Sequence, residues 1–121
     1  MAPVSFDMVE VERSDDLDGP VAAPDHHTIV FENDHVRVLE TVIRAGDTAP
    51  LHTHATKHVM IVSSGSRFIR RDADGAILVD TRAMEPPFSM PPLLWSDGTP
   101  AHTLENSGVD VLRVHVIEVK D

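Results

Sequence analysis

The stretch "GDTAPLHTHATKHVMIVSSG", at positions 46–65, places three histidines within seven positions, at His52, His54 and His58. Side chains two residues apart on a β-strand project to the same face, so the imidazoles of His52 and His54 can approach one ion. His58 has the same parity and opens the apolar strand "VMIV", which directs it into the interior of a barrel. A lone histidine is more often a satisfied core or surface residue, but three on one face, with no carboxylate among them, favour a set of metal ligands.

Short apolar segments between turn residues make up most of the remaining sequence. Valine outnumbers leucine, with 16 residues against 8, and no segment keeps a helical period for long, which favours strands over helices. We predict nine strands, at 27–31, 36–44, 49–54, 58–64, 66–71, 76–82, 93–95, 101–106 and 111–119. The segments "END" at 32–34 and "DADG" at 72–75 predict hairpin turns, with Gly75 in a left-handed conformation. Many short strands at this spacing are typical of a sandwich or a barrel.

The first 25 residues differ in composition from the rest of the chain. They include the acidic segment "ERSDDLDG" and the Pro-containing "PVAAPD", which are typical of an arm and a linker rather than of a core. The segment "VSFDM" at 4–8 alternates apolar and polar residues, which predicts either a half-buried strand on a neighbouring subunit or a frayed terminus. We therefore divide the chain into an arm and linker at 1–25 and one domain at 26–121, since 121 residues with 41% hydrophobic content supply a single core.

Charge and cysteine content restrict the chemistry. The chain has no cysteine, so a metal site must use His, Asp or Glu, and neither disulfides nor a cysteine nucleophile is available. Twenty acidic residues against ten basic ones give a formal net charge of -10, which disfavours nucleic acid and anionic membrane surfaces as partners. The start "MAPVSFDMVE" lacks the features of a secretory signal, and no apolar run is long enough to span a membrane. We expect a cytoplasmic protein.

Two groups of residues resemble the motifs of the small single-domain cupins. Gly46, His52, His54, His58 and Gly65 fall at the intervals of the first cupin motif, with His58 at the position where the family usually has glutamate. The second motif ends in histidine, three residues and asparagine, and "HTLEN" at 102–106 matches it. The segment "FENDHVRVLE" at 31–40 is similar to the hairpin that enters such barrels, so the resemblance covers about residues 26–120.

The resemblance implies a double-stranded antiparallel β-barrel of the jelly-roll type, all-β with little or no helix. It also implies one divalent metal ion in the barrel, and we assign its ligands to His52, His54, His58 and His102. Fe(II) is favoured, with Zn, Ni, Mn and Cu as alternatives, and His58 could instead be a packed core histidine. The second motif departs from the family pattern, because Gly98 comes one position too early and the Pro-rich "MEPPFSMPP" precedes it. This departure predicts an altered loop over the barrel mouth.

Cupins include dioxygenases, isomerases and pure binding modules, so the resemblance leaves two classes of function open. The first is a metal-dependent enzyme, dioxygenase- or isomerase-like, that acts on a small oxygenated organic acid. The second is a sensor or sequestering module that binds a metabolite or a metal without turnover. Neutral imidazoles leave the full double charge on a divalent ion, so either protein should bind a small anionic ligand. Small cupins commonly pair, and together with the "VSFDM" segment this predicts a homodimer.

Large apolar residues near position 90 could line a pocket or fill the core. We assign the substrate pocket to Met60, Phe88, Met90, Trp95, Arg113 and His115. Apolar walls with a few polar groups suit a small-molecule pocket, whereas side chains such as those of Arg113 and His115 are more often outward groups on the solvated face of a strand. We interpret the histidines at a strand entry and a turn as surface residues; these are His26, His27 and His35. No residue is assigned as a general base.

Overall fold

The computed structural model describes residues 16–85 and 89–120, and strands dominate this part of the chain. It contains the strands β1 (His27–Glu32), β2 (Val36–Ile43), β3 (Thr48–His54), β4 (His58–Ser64), β5 (Phe68–Asp72), β6 (Ile77–Asp80), β7 (Leu93–Ser96), β8 (Thr99–Asn106) and β9 (Leu112–Val119). A short helix, α1 (Gly19–Ala22), precedes them, and a 3-10 turn (Thr81–Ala83) follows β6. Each of the nine predicted strands is present, so the all-β prediction is confirmed. Among the described residues, no helix has both the length and the apolar character that crossing a membrane requires.

The strands form two antiparallel sheets. One has five strands in the order β1-β2-β9-β4-β7, and the other has four in the order β3-β8-β5-β6. Neighbours such as β2 and β9, or β3 and β8, are distant in sequence, which is the pattern of a jelly roll rather than of consecutive hairpins. The predicted double-stranded antiparallel barrel is therefore confirmed.

The interior of the barrel changes from apolar to polar along its length. The apolar core is formed by Leu39, Ile43, Ala49, Leu112, Val114 and Val116. Alternation along each strand directs these side chains to one face of the sheet. Strand register extends the apolar layer across the five-stranded sheet, because Val116 lies opposite Met60. Two residues further along β9, Glu118 lies opposite both Arg37 and His58, so this end of the barrel interior is polar.

Both predicted hairpin turns are present. Between β1 and β2, the Oδ1 atom of Asn33 accepts hydrogen bonds from the amides of His35 and Val36, at 2.8 Å and 2.9 Å. Between β5 and β6, the amide of Gly75 donates to the carbonyl of Asp72 at 3.0 Å, and Gly75 has a φ of 88°. A side chain would be strained in this left-handed conformation, so the turn requires glycine.

The end of the predicted linker packs against the barrel. Asp18 forms a β-bridge with Thr53 of β3. A Cβ atom at Gly19 would lie 3.2 Å from the ring of His27 and 3.3 Å from the ring of His54, so a larger residue would push against two histidines. Residues 16–26 therefore cover one end of the barrel. The "VSFDM" segment lies outside the described residues, and the homodimer stays a prediction.

The asparagine of the second predicted motif connects several parts of the barrel. Asn106 is fully buried, and its Nδ2 atom donates to the backbone carbonyls of Ile43 and Asp110, at 2.8 Å each. Its Oδ1 atom accepts from the hydroxyl of Ser66 at 2.8 Å and from the amide of Gly108 at 3.0 Å. The two donors and two acceptor positions of this amide are thus all used. Asn106 therefore holds the end of β2, the end of β8 and the loop after β4 together.

Asn106→Ala is expected to lower the free energy of unfolding by about 3 kcal/mol or more, because it removes four hydrogen bonds and leaves buried partners unpaired. Urea denaturation measures the change. Asn33→Ala is the matched control, since Asn33 is exposed and its backbone partners can bind water instead. We expect this control to lose about 1 kcal/mol or less. Equal losses in the two variants would contradict the structural role of Asn106.

Candidate metal centre

Five buried histidines meet at the polar end of the barrel. His27 comes from β1, His52 and His54 from β3, His58 from β4 and His102 from β8. Each of them is at most 7% exposed. Strand pairing explains why two of these histidines are close together, since His52 lies directly opposite His102 in the β3–β8 pair. Both sheets contribute to this histidine cluster, so it forms only when the barrel closes.

His54 lies at the centre of the histidine cluster. Its ring centroid is 5.1 Å from those of His27 and His52, 5.6 Å from that of His58 and 6.1 Å from that of His102. The ring of His52 is 4.5 Å from the rings of His27 and His102. One ring nitrogen from each of His27, His52 and His54 lies within 4.8 Å of the other two. Metal–nitrogen bonds are about 2.1 Å long, so these three residues could share an ion after small side-chain adjustments.

Backbone hydrogen bonds orient four of the five rings. The Nδ1 atoms of His52, His58 and His102 lie 2.6–2.7 Å from the carbonyl oxygen two residues earlier in the chain. Nδ1 of His27 lies 3.0 Å from the carbonyl oxygen of Ala23. A carbonyl oxygen only accepts, so each Nδ1 donates its proton and the Nε2 atom of the neutral ring keeps a lone pair. Metal-ligating histidines commonly have this arrangement, in which the second ring nitrogen donates to a carbonyl or a carboxylate.

Burial keeps these imidazoles neutral. Desolvation and the neighbouring His52 lower the pKa of His27 to about 3. Desolvation lowers the pKa of His102 to about 3 and the pKa of His52 to about 4, although their backbone hydrogen bonds act in the opposite direction. Desolvation also lowers the pKa of His58. The Nε2 atoms of these four rings are therefore available to a metal ion at neutral pH without the release of a proton.

A buried carboxylate lies beside the central histidine. Oε2 of Glu118 is 3.6 Å from Nδ1 of His54, which is an ion-pair distance but longer than a hydrogen bond. Oε1 of Glu118 accepts from Nε of Arg37 at 2.5 Å, and the same guanidinium binds Asp18 through two bonds of 2.7 Å. Burial alone would raise the pKa of Glu118, but the contacts with His54 and Arg37 outweigh it and lower the pKa. An ionised carboxylate thus faces His54, and Asp18 joins the α1 segment to this side of the cluster.

Solved structures resemble this barrel, although no family profile and no curated protein sequence matches the chain. A cupin domain from Bordetella pertussis Tohama I superimposes with a TM-score of 0.62 at 16% identity, over 78% of this chain and 92% of that one. An RmlC-like cupin family protein with a double-stranded β-helix fold, from Methanocaldococcus jannaschii, gives a TM-score of 0.55 at 13% identity, over 77% of each chain. The chain has the cupin fold.

A polyketide cyclase from Streptomyces resistomycificus shares this cupin fold. Its TM-score is 0.51 at 16% identity, over 78% of this chain and 64% of that one. At identities this low, structural similarity shows a shared fold but not a shared function, because one fold hosts many unrelated activities.

The cupin barrel brings together the four histidines that the sequence proposes as ligands, His52, His54, His58 and His102. Their role as ligands stays a prediction. The interpretation of His27 as a surface residue is wrong, because His27 is 3% exposed and its ring is 4.5 Å from that of His52. Residues 16–26 bury it, through the carbonyl of Ala23 and the close approach of Gly19. Glu118 and Arg70 also face the barrel interior, and no motif in the sequence singles them out.

Most of the predicted pocket residues do not reach the histidine cluster. Met60 packs against the apolar core. Trp95, Arg113 and His115 lie on the outer face of the five-stranded sheet, where Trp95 is 57% exposed. Their positions alternate with those of the core-facing residues on β7 and β9, so the period of two directs them outward. Phe88 lies outside the described residues.

Met90 lies at the opposite end of the barrel from the histidine cluster. It lines a cavity of about 610 Å³ together with Gly65, Ser107 and Asp110, among others. Gly65 follows the end of β4, whereas His58 begins that strand. At about 3.3 Å per residue the two positions are about 20 Å apart. This cavity is therefore separate from the candidate metal centre.

Proposed function

We propose that the histidine cluster binds one divalent metal ion and that this cupin is a metal-dependent enzyme, dioxygenase- or isomerase-like, acting on a small oxygenated organic acid. One observation carries the proposal: four rings have Nδ1 bound to a backbone carbonyl and Nε2 left with a lone pair inside the barrel. His52, His54, His58 and His102 are the proposed ligands, and His27 is an alternative to one of them. Fe(II) is the proposed ion, with Zn, Ni, Mn and Cu as the alternatives.

The cluster fits a metal ion because it contains buried nitrogen atoms that no group in the described part of the chain satisfies. Nε2 of His27, Nε2 of His58 and Nδ1 of His54 are buried and have no hydrogen-bond partner among the described residues. Leaving a buried polar atom unpaired costs about 1–3 kcal/mol. An all-imidazole donor set suits Zn, Cu, Fe and Ni better than Mg or Ca, which prefer oxygen. Metal binding would therefore relieve a cost that the fold otherwise carries.

When bound, such an ion supplies Lewis-acid chemistry, and iron also supplies oxygen activation. The chain itself fixes the donors, because backbone carbonyls lock the tautomers of His52, His58 and His102. The α1 segment covers the cluster through Gly19. The cluster contributes no negative charge to the ion, so an anionic substrate would supply the missing charge.

A non-catalytic binding module is the second candidate, and the state of Glu118 favours it. Proton transfer in an enzyme needs a group that can accept a proton near the working pH. Glu118 is the carboxylate next to His54, but its pKa is lowered and its Oε1 atom is already bound by Arg37. A barrel with such a carboxylate is suited to holding a metal or a metabolite without turnover.

Metal analysis followed by turnover assays distinguishes these functions. We expect one divalent ion per chain after metal removal, reloading and desalting, measured by mass spectrometry of the metal content. Metal-dependent oxygen uptake or isomerisation with a panel of enolisable and aromatic acids would then support the enzyme. Tight ligand binding without turnover would favour the binding module. A metal content no higher than in the chelator-treated protein would contradict the metal site and the metal-dependent enzyme, and His115→Ala on the outer face is the control that should load normally.

A further inference from the structure

Arg70 places a positive charge inside the barrel. It lies on β5 directly opposite Leu104 of β8, and Leu104 packs against the apolar core. Its neighbour Arg71 faces the other side of the sheet and forms an ion pair of 2.8 Å with Glu105. The period of two along a strand thus sends two adjacent arginines to opposite faces. One is a surface cation with a partner, and the other is an interior cation.

The guanidinium of Arg70 lacks a counterion among the described residues. Its Nε atom is buried and has no hydrogen-bond partner in this part of the chain. Desolvation lowers the pKa of Arg70, and no neighbouring carboxylate acts in the opposite direction. Arg70 as a whole is partly buried; a charged group that is held away from water without a partner is costly, so such a group in a folded protein calls for an explanation.

The register of β5 and β8 places Arg70 near the histidine cluster, because His102 is two residues from Leu104, the partner of Arg70 on β8. Diagonal neighbours of this kind are about 7–8 Å apart, within reach of a long side chain. Arg70 and the candidate metal centre therefore share one space.

The nearby carboxylates are engaged elsewhere. Asp72 is on the same face of β5, but its Oδ1 atom accepts from the amides of Asp74 and Ala76 in the β5–β6 turn. Glu118 is bound by Arg37. Neither carboxylate forms an ion pair with Arg70 in the described structure.

We propose that Arg70 binds the carboxylate of a short organic acid whose other oxygen atoms reach the metal centre. The inference rests on the proposed metal site and adds to it the residue that binds the carboxylate of the acid. A guanidinium binds a carboxylate through two parallel hydrogen bonds, and its weak hydration makes it suited to a buried ion pair. The short distance from Arg70 to the histidines selects a small acid such as oxalate or a 2-oxo acid. The carboxylate of such a ligand would be the counterion that the guanidinium of Arg70 lacks among the described residues.

Oxalate is the probe, and Arg70→Met and Arg70→Lys are the test variants. Titration calorimetry on the Zn-loaded protein is expected to show that Arg70→Met weakens oxalate binding by about tenfold or more, since charge-assisted hydrogen bonds are lost. Arg70→Lys should retain part of the affinity, because lysine keeps the positive charge but cannot donate the two parallel hydrogen bonds of a guanidinium. Arg71→Met is the matched control, and we expect it to bind oxalate like the wild type. Zinc affinity should not fall in any of the three variants.

A second readout separates binding from folding. The melting temperature of the metal-free, anion-free Arg70→Met protein should equal or exceed that of the wild type, because a partly buried cation without a partner among the described residues is removed. Unchanged oxalate affinity in Arg70→Met would overturn the inference while leaving the metal site intact. If zinc does not bind, oxalate is titrated into the metal-free protein, where Arg70-dependent binding supports the inference and absent binding overturns it. Tighter binding of inorganic phosphate than of oxalate would overturn the assignment of a carboxylate.

Discussion

His54→Ala is expected to lower the affinity for a divalent ion by at least about 100-fold. Mutation of a residue that only hydrogen-bonds to a ligand typically costs about 10–100-fold. The reason is position: the ring of His54 is within 6.1 Å of the other four rings in the cluster. His54 is also one of the four proposed ligands and belongs to the group of three histidines whose ring nitrogens lie within 4.8 Å of one another. The metal-induced rise in melting temperature should fall in parallel, because an ion bound only by the folded chain stabilises that chain.

Competition with a chelator of known affinity measures the dissociation constant of the metal ion, and His115→Ala is the control. His115 is on the outer face of the same barrel and 3.8 Å from Glu40, so its removal should leave metal affinity unchanged. Retained affinity in His54→Ala would contradict the proposed metal centre. Circular dichroism of the metal-free variant establishes that a loss of binding is not a loss of fold.

The same measurement decides between His27 and His58 as a ligand. His58→Leu lowers metal affinity if His58 is a ligand, and leaves it unchanged if His58 is a packed core residue. His27→Leu is read in the same way. A glutamate at position 58 would restore the usual cupin donor, but it would lie opposite Glu118 across the β4–β9 pair. Two carboxylates directly opposite each other repel, so we expect His58→Glu to fold stably only when the metal is bound.

The strands could be predicted because their signals are local. β4 begins at His58 and ends at Ser64, as predicted, because an apolar run between turn residues defines a strand without reference to the rest of the fold. The inward direction of His52 and His54 follows from the period of two. By contrast, the apolar run "VMIV" indicates burial on both faces of β4, whereas Ile61 on one of these faces is 41% exposed. Periodicity separates the two faces of a strand, but it does not show whether another sheet packs against each face.

The missed residues depend on contacts that no local pattern contains. His27 stands at a strand entry, where histidines are usually exposed, and only the return of residues 16–26 over the barrel buries it. Arg70 and Arg71 are adjacent in "FIRR", so parity says that one faces inward but not which one. The pairing of β5 with β8 settles it, and that pairing joins segments 34 residues apart. For Trp95, the size and apolar character of the side chain suggested a place in a pocket or in the core, but the side chain lies on the outer face of its sheet.

Acidification from pH 7 to pH 5 is expected to destabilise the metal-free protein by about 2 kcal/mol for each histidine that stays neutral in the fold. His27 and His102 have pKa values of about 3, and His52 has a pKa of about 4. These values lie below the 6.5 of an unfolded chain. Between about pH 4 and pH 6.5 the unfolded chain therefore binds protons that the folded chain does not, so a falling pH favours unfolding.

Urea denaturation at several pH values measures this dependence, and His102→Gln is the test variant. Removing one such histidine should reduce the slope of unfolding free energy against pH by about 1.4 kcal/mol per pH unit well below pH 6.5. His35→Gln, at an exposed turn, is the control that should keep the wild-type slope. A wild-type slope in His102→Gln would mean that His102 takes up protons in the folded barrel, which contradicts a desolvated cluster. Three such histidines together would cost about 6 kcal/mol, which is comparable with the total stability of a small domain, about 5–15 kcal/mol, so the metal-free barrel should be much less stable near pH 5 than at pH 7.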